Sequence, residues 1–470
     1  MSVIINDGMK PPGSQQSTGV EDFTEEFTAV PMPGTHCAIR MVRTDSEFDS
    51  LEREWNELLT HSQASIFQTF EWLRTWWTYF GKKLRLHILV FFAGRRMVGI
   101  APMFQQEVKT GGMKVATSLR FIGCGISDYM DIIIRRGFEQ DVIEVFASYL
   151  QLTSGEWDVF EIVDLNERSP VLQRLPGLLL ARGMNVYAYQ GNVCPQVSLP
   201  DSWEGFLRHI GPKNRYHLKR KKEKLNENFR CEVEIYRDEK DDVPRAVDEF
   251  IRIHEHRWRS LGFPSAFDDE SHRAFHVDVA RRMARRGWLR LLFLKVNGQR
   301  VAVSFDFNFN KRIHVYLSHA NGPDEIMKCS PGFLIRCLAI ERGISENMNV
   351  YDFLRGNEAY KYEEFRCVAS KNWLVMASSP SPFGKVRFWF FVTRELSVKS
   401  IDRLRREYYE FKRFLITKHP TARMIMQFLI SKMSLLFSLG YNYIARFSLR
   451  SGRTLSQHAN MTEGERSAQG

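Results

Sequence analysis

Apolar and polar residues follow the same pattern in two segments of the chain. Residues 86–103 (LHILVFFAGRRMVGIAPM) and 289–307 (LRLLFLKVNGQRVAVSFDF) each predict a strand, a glycine turn and a second strand. Each segment follows a stretch with helical spacing that contains or ends in tryptophan, residues 70–81 and 274–288. The pattern therefore predicts a helix followed by a strand hairpin, twice.

Short apolar runs at residues 157–165 and 349–356 predict one further strand after each hairpin. The two sets of elements lie about 200 residues apart, which is the spacing of an internal duplication. We expect an α/β protein with two similar halves.

Residues 328–343 (KCSPGFLIRCLAIERG) have the features of a helix start. Ser330 is predicted to be the N-cap, Pro331 suits the first helical position, and Gly332 leaves the backbone amides uncovered. Gly343 is predicted to end the helix. Such a start favours a bound phosphate, although a capped helix that binds nothing is the alternative. The corresponding loop of the first half, residues 119–134, continues into another strand-like run, so the second half is the better candidate for a cofactor site.

Composition adds limits on class and compartment. The chain has 470 residues and seven cysteines without a CxxC pair, so neither a zinc site nor a disulfide framework is indicated. The first residues lack an apolar signal region, and no run of 18 apolar residues occurs. We expect a cytoplasmic protein that does not span a membrane.

The net charge of +11 is concentrated near the C-terminus, where residues 383–450 contain 14 Lys and Arg against 4 Asp and Glu. Apolar residues at helical spacing there predict a basic amphipathic helical region. It is a candidate for peripheral contact with the inner membrane or with a partner complex, and packing on the second half is the alternative. Sedimentation with anionic liposomes would separate the two. The predicted divisions are a disordered leader (1–35), an N-terminal domain (36–195), a C-terminal domain (196–382), this basic region (383–450) and a disordered tail (451–470).

Seven segments resemble the CelD-like or BioF2-like acetyltransferases of the GNAT superfamily, a family named after a protein associated with bacterial cellulose biosynthesis. The segments are residues 67–77, 89–104, 119–134, 202–225, 287–307, 330–335 and 351–365. The resemblance implies two tandem GNAT folds, akin to the Fem aminoacyltransferases, and acetyl-CoA or another acyl-CoA as co-substrate. The pyrophosphate of the acyl-CoA would lie on the start of the helix after the fourth strand, which maps to Ser330, Pro331, Gly332, Phe333 and Leu334.

A lysine of the family matches Lys361, which would hold a phosphate or a substrate carboxylate. The alternative is a solvated lysine paired with Glu358 or Glu364. Residues 213–225 contain seven Lys and Arg and predict a solvated helix, with RNA or anionic glycan binding as the alternative. The matching place of this segment in the family implies a linker helix between the two halves. The resemblance also makes a polysaccharide-synthesis complex the candidate partner of residues 383–450.

GNAT-type transfer needs no metal: an amine attacks the thioester, a carboxylate or water accepts its proton, and a hydroxyl or thiol protonates the leaving thiolate. The candidates are Tyr316 as the acid and Asp306 or Asp352 as the base, with His314 nearby. If Asn310 and Lys311 form a two-residue turn, Phe305 pairs with Tyr316 and Asp306 with Val315. This pairing would place Asp306 and Tyr316 on opposite faces of the sheet. The alternative is that these are satisfied polar groups in a covered sheet.

The sequence thus favours an acyl-CoA-dependent N-acyltransferase, with acetyl as the preferred group, acting in bacterial polysaccharide or envelope-conjugate synthesis. The acceptor would be an amine-bearing small molecule or glycan. One alternative is Fem-like aminoacyl transfer from tRNA, which is the only reading that involves nucleic acid as a substrate. The other is an inactive GNAT scaffold in a glycan-synthesis complex.

Overall fold

The computed structural model describes residues 30–31, 37–260, 262–393 and Met426. The predicted leader (1–35) lies outside the described residues apart from Val30 and Pro31. The predicted tail (451–470) lies outside them as well, as does the basic region (383–450) beyond residue 393 and apart from Met426.

Two compact units divide the chain, and the fold described below is that of the first, Met1–Arg257 with Pro264–Phe388. The second comprises Trp258–Phe263 and the residues from Trp389 onward. Within it, the Phe263 amide donates to the Trp258 carbonyl at 3.0 Å. None of the described helices is both long enough and apolar enough to cross a membrane.

The first half of the chain contains eight strands and five helices among the described residues. They are β1 (Val30–Pro31), β2 (Cys37–Val42), α1 (Asp45–Ser50), α2 (Glu52–Thr60), α3 (Phe70–Phe80), β3 (Arg85–Ala93), β4 (Arg96–Thr110), β5 (Met113–Phe121), β6 (Ile133–Ile134), α4 (Glu139–Leu152), β7 (Val159–Asn166), α5 (Pro170–Ala181) and β8 (Val186–Ser198).

The second half repeats the helix, hairpin, strand, helix and strand order. Its elements are α6 (Trp203–Asn228), β9 (Cys231–Tyr236), α7 (Val243–Ser260), α8 (Glu270–Arg285), β10 (Leu289–Val296), β11 (Gln299–Phe309), β12 (Arg312–Ala320), α9 (Asp324–Met327), α10 (Pro331–Ser345), β13 (Val350–Asp352), α11 (Ala359–Phe365), β14 (Val368–Ser378) and a helix over 382–393.

The duplication extends to the capping of corresponding helices. A short 3₁₀ turn with a capping box precedes α3 at Ser65 and α8 at Ser265. In each turn the serine amide donates at 3.0 Å to a side chain three residues later, Gln68 or Asp268. This repetition confirms the predicted α/β fold of two tandem halves.

All the described strands form one sheet. The last described strand of each half pairs with a strand of the other half. The order is β1-β2-β3-β4-β5-β7-β14-β8-β13-β12-β11-β10-β9, with β6 paired to β4. The last strand of the second half, β14, pairs antiparallel with β7, and the last strand of the first half, β8, pairs antiparallel with β13. We call β8 and β14 the exchanged strands. The predicted division between residues 195 and 196 falls inside β8.

Three clusters of apolar side chains cover the sheet. The first cluster joins the two halves, because Trp72 of α3 packs edge-on against Phe275 of α8, with ring centroids 5.2 Å apart. Ile313 and Val315 belong to the cluster beneath α10 and α6. Trp72 is fully buried, and removing such a side chain costs about 3–5 kcal/mol.

Two expectations about element ends are wrong. Helix α10 continues past Gly343 to Ser345. A side chain at Gly343 would overlap Ile313, so this glycine allows close packing on β12 rather than ending the helix. The strand expected over 349–356 is limited to Val350–Asp352.

Candidate active site

Strands β12 and β13 separate in the middle of the sheet of the second half. They pair in parallel from Arg312 and Val350 to His314 and Asp352, where β13 ends. Beyond that pair β12 continues to Ala320, and its residues 316–320 are half-buried. No described strand pairs with this edge, so its backbone N–H and C=O groups are open to an extended ligand. We call it the open edge of β12.

The start of α10 differs from the expected helix start. Ser330 precedes the helix but has a left-handed backbone (φ 56°), and its side chain caps no amide. The Ser330 amide donates to Met327, and the Phe333 and Leu334 amides donate to the Ser330 carbonyl at 3.0 and 3.1 Å. Proline has no N–H. Among the described residues 330–334, only Gly332 has an amide N–H without an acceptor.

Gly332 lies beside the end of the open edge. A Cβ atom at Gly332 would be 3.5 Å from the Ala320 Cβ and 3.5 Å from the Arg336 Nη1. Arg336 Nη1 donates to the Gly332 carbonyl at 3.0 Å, and its guanidinium lies 4.8 Å from the ring centroid of Tyr360. The helix start thus presents one free amide and one arginine next to the open edge.

Asp352 is fully buried where β12 and β13 separate. Its Oδ2 accepts from the Tyr129 hydroxyl at 2.8 Å and from Arg312 Nη1 at 2.9 Å. Its Oδ1 accepts from the Leu354 amide at 2.9 Å. Burial raises the pKa of Asp352, and the Arg312 charge opposes that rise. Tyr129 also accepts from Gln196 Nε2 at 2.9 Å. The first half therefore supplies a direct partner to this carboxyl group.

A second link between the halves lies beside the first. Arg355 Nε lies 2.9 Å from Asp128 Oδ1, at an angle that makes no hydrogen bond, and 3.9 Å separates Arg355 Nη2 from Asp164 Oδ2. Burial raises the pKa of Asp128, and Arg355 opposes it. Three non-glycine residues of this network have left-handed backbones, Tyr129 (φ 55°), Asp164 (φ 52°) and Leu354 (φ 53°). Such conformations cost about 1–3 kcal/mol each and cluster at functional sites.

The corresponding parallel pair of the first half is followed by a buried loop. Strands β5 and β7 pair in parallel over only three residue pairs, and the loop that follows β5 buries Ser127, Asp128, Tyr129 and Met130. The Trp72 indole N–H donates to the Ser127 hydroxyl at 2.7 Å, which holds the loop in place. Sequence reasoning did not single out Asp128 or Tyr129, because their partners lie more than 200 positions away.

The structure places Asp306 and Tyr316 on opposite faces, as predicted. Asp306 pairs with Val315, but Phe305 pairs with Leu317 rather than Tyr316, because a bulge interrupts the ladder there. Asn310 and Lys311 both have left-handed backbones (φ 48° and 57°), as a two-residue hairpin turn requires.

Tyr316 lies among aromatic rings from both halves. His276 Nδ1 lies 2.6 Å from the His272 carbonyl and so carries the proton, which leaves Nε2 to accept from the Tyr316 hydroxyl at 3.1 Å. Burial raises the pKa of Tyr316 and lowers that of His276 to about 4. Burial likewise lowers the pKa of His314 to about 3. Both histidines are therefore neutral at pH 7.

Asp306 lies beneath α10 and is fully buried. Its Oδ1 accepts from the Ser304 hydroxyl at 2.7 Å, and its Oδ2 has no hydrogen-bond partner. Burial raises the pKa of Asp306 to about 7. Of the three predicted catalytic residues, Asp352 alone stands at the end of the β12–β13 pairing.

Lys361 is buried, with 3% of its surface exposed, so it is not a solvated lysine. Its Nζ donates to the Gly356 carbonyl at 2.9 Å and pairs with Glu358 at 2.8 Å. It also lies 5.6 Å from the ring centroid of Phe353. These contacts hold the turn between β13 and α11.

Comparison with known proteins defines the class. Residues 212–362 match the family described as Acetyltransferase (GNAT) domain. The chain is an α/β protein of two tandem halves, and the segment that matches the GNAT acetyltransferase family lies in the second half. No curated protein matches the chain.

Among solved structures, FemX is similar over 72% of this chain and 96% of its own, with 9% identity and a TM-score of 0.51. At that identity the likeness shows the fold alone. The match with L-PGS from Bacillus licheniformis covers 71% of this chain and 95% of that protein, with 11% identity and a TM-score of 0.42. The match with a tandem GNAT protein from the clavulanic acid biosynthesis pathway covers 73% of this chain and 99% of that protein, with 11% identity and a TM-score of 0.41.

Proposed function

We propose that this chain transfers an acyl group from acyl-CoA to an amine where β12 and β13 separate. The observation that carries the proposal is the position of Asp352, a buried carboxyl group at the last residue pair before the strands part. It lies within the segment that matches the GNAT acetyltransferase domain.

The donor would lie along the open edge of β12, with its phosphates near the start of α10. The open edge offers backbone donors and acceptors to the extended arm of the donor. The free Gly332 amide and the adjacent Arg336 offer a hydrogen bond and a positive charge. Bound acyl-CoA would supply an activated acyl carbonyl group. The absence of a side chain at Gly332 leaves room beside Ala320, so the residues present fit this group.

Asp352 is the proposed proton acceptor for the attacking amine. A base works best when its pKa is close to the working pH, and burial shifts the pKa of Asp352 upward in that direction. Tyr316 follows two residues after the last paired residue of β12, and we assign its hydroxyl to protonation of the departing thiolate. Asp306 has no role in this scheme because it lies beneath α10, on the other face from Tyr316.

We further propose acetyl as the acyl group and polysaccharide or envelope-conjugate synthesis as the setting. Both rest on the resemblance of the seven segments to the CelD-like acetyltransferases. The alternatives are Fem-like transfer from tRNA and an inactive scaffold. The following experiment would distinguish both from acetyl transfer.

Titration calorimetry of the full chain with acetyl-CoA tests the proposal, with Gly332→Glu as the test variant. Glutamate would fill the space beside Ala320 and repel phosphate, so we expect at least about a tenfold loss of affinity, or 1.4 kcal/mol. Gly177→Glu is the matched control, because Gly177 is an exposed helical glycine with open space around it.

Equal acetyl-CoA affinity in both variants would refute the placement of the donor. Binding of aminoacyl-tRNA without acetyl-CoA would favour the Fem-like reaction. Binding of neither would favour a scaffold. Circular dichroism of both variants checks that each is folded.

A further inference from the structure

The start of α10 cannot balance the charge of a pyrophosphate with backbone amides alone. Helix starts that hold phosphates present several free N–H groups. Of the described residues 330–334, one is proline, three have amides that are already hydrogen-bonded, and the Gly332 amide alone is free. Further positive charge must come from side chains close to this start.

The second segment of α6 carries a concentration of such charge. The helix breaks at Gly211 (φ 82°) and continues to Asn228. Leu218 and Leu225 are buried in the cluster beneath α10, so the remaining sides of this segment face outward. From Lys213 to Lys224 it carries seven Lys and Arg.

Hydrogen bonds from two side chains show which flank of α6 lies against α10 and α11. Lys221 Nζ donates to the Lys328 carbonyl, two residues before Ser330. Asn214, seven residues before Lys221 and so on the same side of the helix, donates to the Glu363 and Glu364 carbonyls at 2.7 and 3.1 Å. This flank therefore runs beside the start of α10.

Arg220 and Lys224 are the neighbours of Lys221 on this flank. Lys221 and Lys224 are three residues apart and Arg220 and Lys224 are four apart, so their side chains meet on the helix surface. We call Arg220, Lys221 and Lys224 the basic flank. None of the three forms an ion pair with a described residue. The ion pair of this segment, between Lys219 and Glu223 at 3.8 Å, lies on the other flank.

We propose that the basic flank binds the phosphate groups of the nucleotide end of acyl-CoA. The inference rests on the proposed function, which places the donor at the start of α10. Three adjacent cations span about 6 Å of helix at 1.5 Å per residue, a length that suits the phosphates of one nucleotide. Cations in α6 would then replace the amides that the start of α10 lacks.

Calorimetry of the full chain compares two double variants that remove the same charge from the same helix. Arg220→Ala with Lys224→Ala is the test, and Lys219→Ala with Lys222→Ala, on the other flank, is the control. Alanine favours helix in all four positions. We expect the test variant to lose about tenfold to one hundredfold in CoA affinity, as for the loss of one or two charged hydrogen bonds. The control should change less than about threefold.

Comparing three ligands shows which part of the donor the basic flank contacts. The test variant should lose less affinity for 3′-dephospho-CoA than for CoA, and none for acetyl-pantetheine, which has no phosphate. Raising salt from about 50 to 200 mM should weaken CoA binding more in the wild type than in the test variant, because screening acts on the charges that the variant lacks.

Failure of this inference is distinguishable from failure of the proposed function. Wild-type binding of CoA with equal affinity in both double variants would overturn the basic flank alone. No binding of CoA by the wild type would overturn both. If both double variants lost affinity for a short RNA hairpin and kept CoA binding, the seven cations would form a nucleic-acid surface instead, and the inference would be wrong.

Discussion

Tyr129→Phe would test whether the first half stabilises the proposed proton acceptor. The substitution removes a 2.8 Å hydrogen bond to the buried Asp352 and leaves Gln196 without its acceptor. Hydrogen bonds to charged groups contribute about 1.5–3 kcal/mol, and Asp352 keeps Arg312 and Leu354. We expect Tyr129→Phe to lower the free energy of unfolding by about 2–3 kcal/mol at pH 7.5.

The loss should depend on pH in a definite direction. Burial raises the pKa of Asp352, and the Tyr129 hydroxyl is one of the groups that lower it. A carboxyl group whose folded pKa is raised costs stability as the pH increases from its unfolded pKa, about 3.9, through its folded pKa. Removing the hydroxyl raises the folded pKa further. The difference between Tyr129→Phe and wild type should therefore be largest above the folded pKa and shrink in acid.

Urea unfolding followed by tryptophan fluorescence at pH 7.5 and 4.5 would measure this difference. Tyr216→Phe is the control, because Tyr216 is exposed (61%) and forms no hydrogen bond with a described residue. A deficit of the same size at both pH values, or none at pH 7.5, would refute the view that Tyr129 stabilises the Asp352 carboxylate.

Two further substitutions test residues that the sequence marked as candidates. Lys361→Met removes the bonds to Gly356 and Glu358, so urea unfolding should show a loss of about 2–4 kcal/mol. Unchanged stability with weaker CoA binding would instead make Lys361 a donor contact. Asp306→Asn removes a carboxyl group whose pKa burial raises to about 7, so its stability relative to wild type should rise between pH 5 and pH 8 by about 2–3 kcal/mol. A flat difference over this range would mean that Asp306 ionises without penalty.

Local features of the fold were predictable because they depend on short-range spacing. The hairpins, the position of α10 and the pairing of Asp306 with Val315 follow from alternation and from the two-residue turn. The one-residue bulge that displaces Tyr316 from Phe305 leaves no signal in that alternation, because apolar residues surround it.

Other parts of the site depend on partners that only the tertiary structure brings together. Lys361 lies in a polar segment that is typical of solvated helices, yet Phe353 and the Gly356 turn cover it. Tyr129 and Asp352 are 223 positions apart, and no periodicity relates them. Their contact depends on how the two halves pack across the exchanged strands.

The exchanged strands also set an order of events during synthesis of the chain. The edge of β7, which ends at Asn166, is completed by β14, which ends at Ser378. A ribosome adds about 5–20 residues per second, so roughly 200 residues of translation leave this edge unpaired for about 10–40 s. An open strand edge invites pairing with other chains. We therefore expect nascent chains that stop before β14 to aggregate, and the last of the described strands to be the one that closes the first half.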